Sequence, residues 1–211
     1  MEQKSDKKVP VPTVRRLPRY LHLLKRCQAN GRESISATDI ANRLELESIQ
    51  VRKDISYTGI VGKPRVGYAV DELVSAIEDF LGWSSRTNAV LIGVGSLGSA
   101  LLGYSGFQKH GLDIVAAFDN KDEKIGMDVH GIPIFNINEL EQRLEALEAT
   151  IAILTLPAAV AQEVTDRIVK LGIKGIWNFS PIKISAPDDV IVQYEDLSAG
   201  LAVLSIKLGH K

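Results

Sequence analysis

"VLIGVGSLGSALLGYSGF", residues 90–107, sets three glycines, Gly93, Gly95 and Gly98, in a G-x-G-x-x-G frame. Alone the frame is a weak signal, so its flanks decide how it reads. Residues 89–92 are apolar and partly β-branched, as in a buried parallel strand. Beyond the frame, Leu97, Ala100, Leu101 and Tyr104 recur at helical spacing. The glycines therefore mark a strand-to-helix junction. There Gly93 permits a sharp turn, Gly95 lets a pyrophosphate approach the backbone, and Gly98 lets helix and strand pack closely. Free amide groups across Val94, Ser96 and Leu97 are then placed to hold phosphate oxygens.

The next strand pattern, residues 113–119, ends on Asp119, 21 residues after Gly98. An acidic side chain at that distance bonds the ribose hydroxyls of NAD and repels the extra phosphate of NADP. Asn120, Lys121 and Lys124 follow closely and soften that repulsion. Strand patterns recur over 132–135, 151–156, 175–178 and 190–193, with helix patterns over 136–148 and 160–171. Five or six parallel strands with crossing helices predict a doubly wound α/β sheet of Rossmann type. Ligands sit outside the carboxyl ends of such strands. That face here offers Gly93 to Gly98, Asp119, Thr155, Leu156, Pro157, Asn178 and Phe179.

Upstream the character changes. The net charge of the 211 residues is −1, yet residues 1–70 hold 14 Lys and Arg against 7 Asp and Glu, and the remainder 11 against 19. A basic third joined to an acidic remainder points to a polyanionic partner for the basic part. Residues 18–30 read as a helix from Leu17, Tyr20, Leu21 and Leu24, stopped by Gly31, while Pro10, Pro12 and Pro18 predict an extended lead-in. Ser36 and Asp39 have capping-box spacing and open a second helix through Ile40, Ala41 and Leu44. Ser48 can cap a third that ends near Gly59, with Ile49, Val51 and Ile55 inward and Gln50, Arg52, Lys53 and Tyr57 outward.

Three short helices with a tight turn between the last two describe a helix-turn-helix. Gln50, Arg52 and Lys53 suit base edges in a major groove, while Lys53, Ser48 and Ser56 suit phosphates and Tyr57 shares their outer face. Residues 59–70 predict a β-hairpin with Lys63 and Arg65 at its tip, the wing of a winged helix. A fourth helix over 71–81 buries Leu73, Val74, Ile77, Phe80 and Leu81, and Gly82 ends it. The expected organisation is a winged-helix DNA-binding domain over 1–82, an NAD(H)-binding Rossmann domain over 88–193 and a terminal helix over 194–211.

Several classes are disfavoured. Hydrophobic content of 45% and charged content of 24% suit a globular protein, and Cys27 alone supports neither a disulfide framework nor a zinc cluster. The polar start lacks a signal-peptide core and no apolar run approaches a membrane span, so the cytoplasm is the expected compartment. His22, His110, His130 and His210 stand in no catalytic frame, and no nucleophile elbow, zinc-protease motif or Walker loop occurs. Little chain follows residue 193 to hold a substrate. A dinucleotide with nothing to react with can serve as a signal.

Two alternatives stand beside that reading: a small NAD-dependent oxidoreductase with an accessory helical module, and a nucleotide-binding domain of the CoA-ligase type, against which Asp119 favours NAD. In the tail, Leu197, Leu201, Leu204 and Leu208 form an apolar stripe. It can pack on its own sheet or cross to a second copy, which suits two-fold operators.

"RLPRYL", "QVRKDISYTG", "GKPRVGY", "IGVGSLGSALLGYSGF", "AAFDNKDEKIG", "GIKGIWNFSP" and "DLSAGL" together resemble the redox-sensing transcriptional repressors of the Rex family. The resemblance implies a homodimer with a domain-swapped C-terminal helix, which leaves operator DNA when NADH rises relative to NAD+. It implies that Gly93 to Gly98 hold pyrophosphate and Asp119 the adenosine ribose. It also sets Tyr104 where the family has a tyrosine facing the partner's aspartate, matched here by Asp196. Leu197 stands where some members insert an aromatic ring near the nicotinamide. His22 stands where some have an arginine linking the DNA domain to the tyrosine–aspartate pair.

Overall fold

The structure, a computed structural model, describes residues 9–209; the lead-in 1–8 and His210 lie outside the described residues. The chain divides into two compact units, Met1–Ser85 and Arg86–Lys211.

The first unit contains α1 (Val11–Ala29), β1 (Ser34–Ile35), α2 (Ala37–Leu44), α3 (Ser48–Ser56), β2 (Tyr68–Ala69) and α4 (Val70–Leu81). Leu17, Tyr20, Leu21 and Leu24 of α1 pack with Ile40, Val51, Ile55, Leu73 and Ile77 in one core. Residues 11–17, within the segment expected to be extended, are helical instead. Helix α1 starts at Val11, before Pro12, and runs through Pro18. Proline is accepted in a first turn, whose N–H groups have no helical partner anyway, and the buried side chains flanking Pro18 outweigh the one bond it cannot donate. Ser36 does cap α2, its Oγ accepting the Asp39 amide at 3.0 Å. The Asp39 carboxylate turns instead to Arg32, at 2.5 Å.

Helix α3 departs from expectation twice. Ser48 is its first residue and not its cap, a position held by Glu47 without a side-chain bond. Ile49 is 75% exposed, whereas Asp54 is 1% exposed and faces inward. Asp54 Oδ1 accepts from Thr13 Oγ1 at 2.9 Å and Oδ2 from the Tyr20 hydroxyl at 2.7 Å. Arg16 completes the cluster, so α3 is tied to α1 by charge as well as by Val51 and Ile55. The wing also differs. Residues 59–61 form no strand; Lys63 and Gly67 close a tight turn, and the return strand β2 pairs antiparallel with β1. The Gly67 backbone comes so close to Ile35 that a Cβ there would stand 2.4 Å from the Ile35 carbonyl oxygen.

The second unit contains β3 (Thr87–Ile92), α5 (Ser96–Leu102), α6 (Gly106–Lys109), β4 (Leu112–Asp119), β5 (Asp128–Val129), β6 (Ile132–Asn136), α7 (Leu140–Arg143), β7 (Ile151–Leu154), α8 (Ala158–Lys170), β8 (Gly175–Asn178), β9 (Ile191–Tyr194) and α9 (Leu197–Lys207). The sheet order is β5-β6-β4-β3-β7-β8-β9, parallel except at the β5 edge. From β3 onward this is the 3-2-1-4-5-6 order of a doubly wound fold, with the reversal between β3 and β7. One long helix expected over 136–148 is instead a capped 3₁₀ turn at Ile137–Glu139 followed by the short α7. Leu140 and Leu144 are still buried.

Helix α9 is a different case. Leu197, Leu201, Val203, Leu204, Ile206 and Leu208 are all exposed, and none of its residues is buried. It does not pack on its own sheet.

Candidate functional site

At the reversal between β3 and β7 the glycine frame makes the turn expected of it. Gly93 adopts φ +97°, and a Cβ there would meet the Thr155 carbonyl oxygen at 2.7 Å. At Gly98 a Cβ would stand 2.1 Å from the Gly93 carbonyl oxygen, so the first turn of α5 and the end of β3 approach as only glycine allows. Gly95 differs, because nothing lies within 4 Å of the equivalent point. Ser96 and Leu97 start α5 beside it.

Asp119 ends β4 and is 7% exposed. Its Oδ2 accepts the Val94 amide at 2.6 Å and its Oδ1 the Lys121 amide at 2.9 Å. Lys124 donates to the Val94 carbonyl and lies 3.5 Å from the carboxylate. Both polar backbone groups of Val94 are thus bound by Asp119 and Lys124. Burial pushes the carboxyl upward, but the two amides and the Lys124 charge outweigh it and hold Asp119 below the ordinary range. Asp119 is an anion that braces the glycine loop, a duty that spacing alone does not reveal. Asn120 is exposed next to it.

The loops after β7 and β8 close the other side. Thr155 Oγ1 donates to the Gly93 carbonyl at 2.5 Å, and the Ser180 hydroxyl accepts the Leu156 amide at 3.1 Å. Pro157 caps α8. Asn178 is fully buried, and its amide bonds the Ile182 carbonyl and the Ser180 N–H, so it shapes its own loop and does not face outward. Phe179 begins a run of rings: Phe179 to Trp177 at 5.2 Å, Trp177 to Phe107 at 5.4 Å, and Phe107 to Tyr104 at 4.9 Å between centroids. Phe107 and Trp177 lie outside the residues that the sequence motifs single out. Their two-residue and three-residue offsets from Phe179 and Tyr104 carry the signal.

Tyr104 is 57% exposed and does not meet Asp196 within the protomer. Asp196 instead caps α9, accepting the Ser198 amide at 2.8 Å, and its carboxyl is held low by the bonds from Ser198. Leu197 follows, exposed.

In the first unit, Arg52, Lys53 and Ser56 are exposed on α3, with Ser48, Gln50 and Tyr57 partly so. Ser56 Oγ donates back to the Lys53 carbonyl. Arg52 meets the wing residues Lys63 and Arg65 along one groove of about 330 Å³, where Ser36 and Thr38 from the start of α2 join them. No group of three or more metal-ligating side chains occurs among the described residues, and no described helix is long and apolar enough to cross a membrane.

Residues 84–182 match the model described as "CoA binding domain", and residues 8–56 match "Putative DNA-binding protein N-terminus". The redox-sensing transcriptional repressor Rex of Treponema denticola is 56% identical over 98% of this chain and 99% of its own. The chain belongs to the Rex family. The Rex repressor of Bacteroides fragilis is 43% identical over 99% of this chain and 94% of its own, and that of Bacillus subtilis 39% over 98% and 95%. A Rex-type repressor, RSP, in complex with beta-NAD+ and operator DNA superimposes with a TM-score of 0.89 at 33% identity, covering 95% of this chain and 92% of that one. Its complex with beta-NADH gives 0.86 at 32% identity, covering 95% and 94%. Rex proteins are transcriptional repressors, and this chain is a redox-sensing regulator of that kind and not an oxidoreductase. The match to the CoA model is confined to the Rossmann-type unit, whereas the Rex relatives span both units.

Proposed function

We propose that two copies of this chain bind operator DNA through their first units and hold NAD(H) in their second, and that NADH releases the DNA. The relevant observation is the pairing in one chain of a basic groove (Arg52, Lys63, Arg65) with the open, anion-braced loop of Gly93 to Gly98. RSP, of the same fold, is named with both beta-NAD+ and operator DNA.

The residues fit the dinucleotide. Open space at Gly95 admits the pyrophosphate, and the ionised Asp119 has acceptor capacity left for ribose hydroxyls. Lys124 tempers its negative field. Thr155, Leu156, Pro157 and Phe179 wall the nicotinamide side, while Asn178 holds the loop of Phe179 in shape. On the DNA side, Gln50, Arg52 and Lys53 read the major groove; Ser48, Ser56 and Tyr57 hold backbone beside them, and Lys63 and Arg65 meet the flanking phosphates. Exposed α9 crosses to a second copy, where Tyr104 of one protomer and Asp196 and Leu197 of the other meet near the ring. The compartment is the cytoplasm, where the genome and the NAD pool coexist.

A sensor requires differential affinity. NADH moves the equilibrium by as much as it prefers the released form, and turning a 99:1 population over takes about 10⁴-fold preference. A gel-shift titration tests this. NADH frees the operator and NAD+ at matched occupancy does not; equal release by both overturns the proposal.

A further inference from the structure

Trp177 occupies the third position of β8 and touches three separate parts of the second unit. Its ring leans on Phe179, in the loop whose Ser180 braces Leu156. On another side it meets Phe107, which packs against Tyr104. Its indole Nε1–H donates to Glu195 Oε1 at 3.3 Å. Glu195 immediately precedes Asp196, the cap of α9, and its own amide bonds the Asn178 carbonyl at 2.9 Å. The indole therefore stands between the loops that wall the dinucleotide site and the root of the terminal helix.

We infer that Trp177 is a positioning residue that carries the state of those loops to the terminal helix through its hydrogen bond to Glu195. The inference rests on the function proposed above and adds a route within one protomer. The physical basis is geometric. An indole has a single N–H donor, fixed in the ring plane. A tilt of the ring against Phe179 therefore re-aims the donor, and a bond already 3.3 Å long weakens steeply when misaligned. Glu195 also has a second donor in place, Gln193 Nε2, which donates to the same Oε1 at 3.4 Å. The carboxylate oxygen accepts from both donors and keeps the Gln193 bond when the indole tilts away, so the indole bond opens without stranding the charge and is a made-or-broken contact at the base of α9. Such a contact couples two sites when both bias its equilibrium.

The test is the coupling factor: the ratio of operator dissociation constants for the full chain with and without saturating NADH. By linkage it equals the ratio of NADH dissociation constants with and without operator, so each value is measured twice. Trp177→Phe keeps ring packing and removes the N–H, Glu195→Ala removes the acceptor, and Glu195→Gln keeps one. The expected result is a coupling factor reduced about tenfold, within the usual range of such couplings, in Trp177→Phe and Glu195→Ala. NADH affinity without DNA stays within about twofold, the double variant falls no further, and Glu195→Gln behaves as the parent. A Trp177→Phe chain that melts as the parent does and retains full coupling overturns the inference. So does one whose NADH affinity without DNA falls in step with coupling, since the ring then merely walls the pocket. Failure of NADH to release the parent chain strikes the proposed function itself.

Discussion

Arg16 on α1 clamps Asp54 on α3 with two hydrogen bonds, Nε to Oδ2 at 2.7 Å and a terminal nitrogen to Oδ1 at 2.8 Å. The Asp54 side chain is 2% exposed and the Arg16 side chain 18%, so neither can fall back fully on water. The clamp holds the helix that carries Gln50, Arg52 and Lys53. Asp54→Asn leaves Arg16 without its anion, at a cost of about 3 kcal/mol, the usual penalty for removing one partner of a buried pair. The expected outcome is an earlier urea transition of the first unit and weakened operator binding, with NADH affinity unchanged.

The same cluster sets how the first unit responds to pH. Burial alone raises the Asp54 carboxyl, but bonds from Arg16, Tyr20 and Thr13 outweigh it, and the net shift is downward. A lowered folded value means that the unfolded chain binds more protons, so stability rises with pH. The contribution is whole above the unfolded value near 4 and is lost as pH falls through the folded one. Tyr20 has the opposite sense: burial first, then Asp54, raises its hydroxyl, so its contribution is lost at strongly alkaline pH. Urea midpoints of the first unit measured from pH 7 to 3 fall for the parent and flatten for Asp54→Asn.

Two glycines of one frame separate packing from binding. Gly95→Ala places its methyl in open space, so the melting temperature holds while NADH affinity falls at least tenfold because the pyrophosphate loses its approach. Gly98→Ala drives a methyl against the Gly93 carbonyl, so melting temperature and affinity fall together. Calorimetry of both variants checks the contrast.

Lys53→Ala and Arg65→Ala weaken operator binding and leave NADH affinity alone. Arg65→Ala, which loses a phosphate contact, also reduces the steepness of log affinity against log salt by about 0.9. Binding isotherms at several salt concentrations measure both effects.

Leu201→Glu places a charge among the exposed apolar side chains of α9. Light scattering is expected to show monomers for this variant and dimers for the parent, with far-UV circular dichroism unchanged.

The sheet was legible because its strands are short apolar runs bounded by turn residues, and because Gly93, Gly95, Gly98 and Asp119 stand at spacings that the turn geometry demands. What stayed hidden were decisions made by distant residues. A buried aspartate in "QVRKDISYTG" reads as surface until Thr13, Arg16 and Tyr20 are seen to surround it. Ile49 reads as core by composition but faces outward, because Val51, Asp54 and Ile55 fix the inner side of α3. Pro18 reads as a breaker, yet the core on either side carries the helix past it. The wing was expected as a self-contained hairpin, but its return strand finds its partner in β1, more than thirty residues earlier. At the site, spacing alone makes Asp119 a ligand for ribose. Its bond to Val94 belongs to a fold that spacing cannot describe.

Helix α9 offers apolar side chains on every side and has no cover within its own protomer. A regulator built this way counts itself: the DNA-competent species grows with the square of chain concentration while pairing is incomplete. A cell that halves expression of such a chain in that regime loses three quarters of its repressor pairs. Under the pairing proposed above, gene dosage in that regime sets the level of repression alongside the nucleotide ratio.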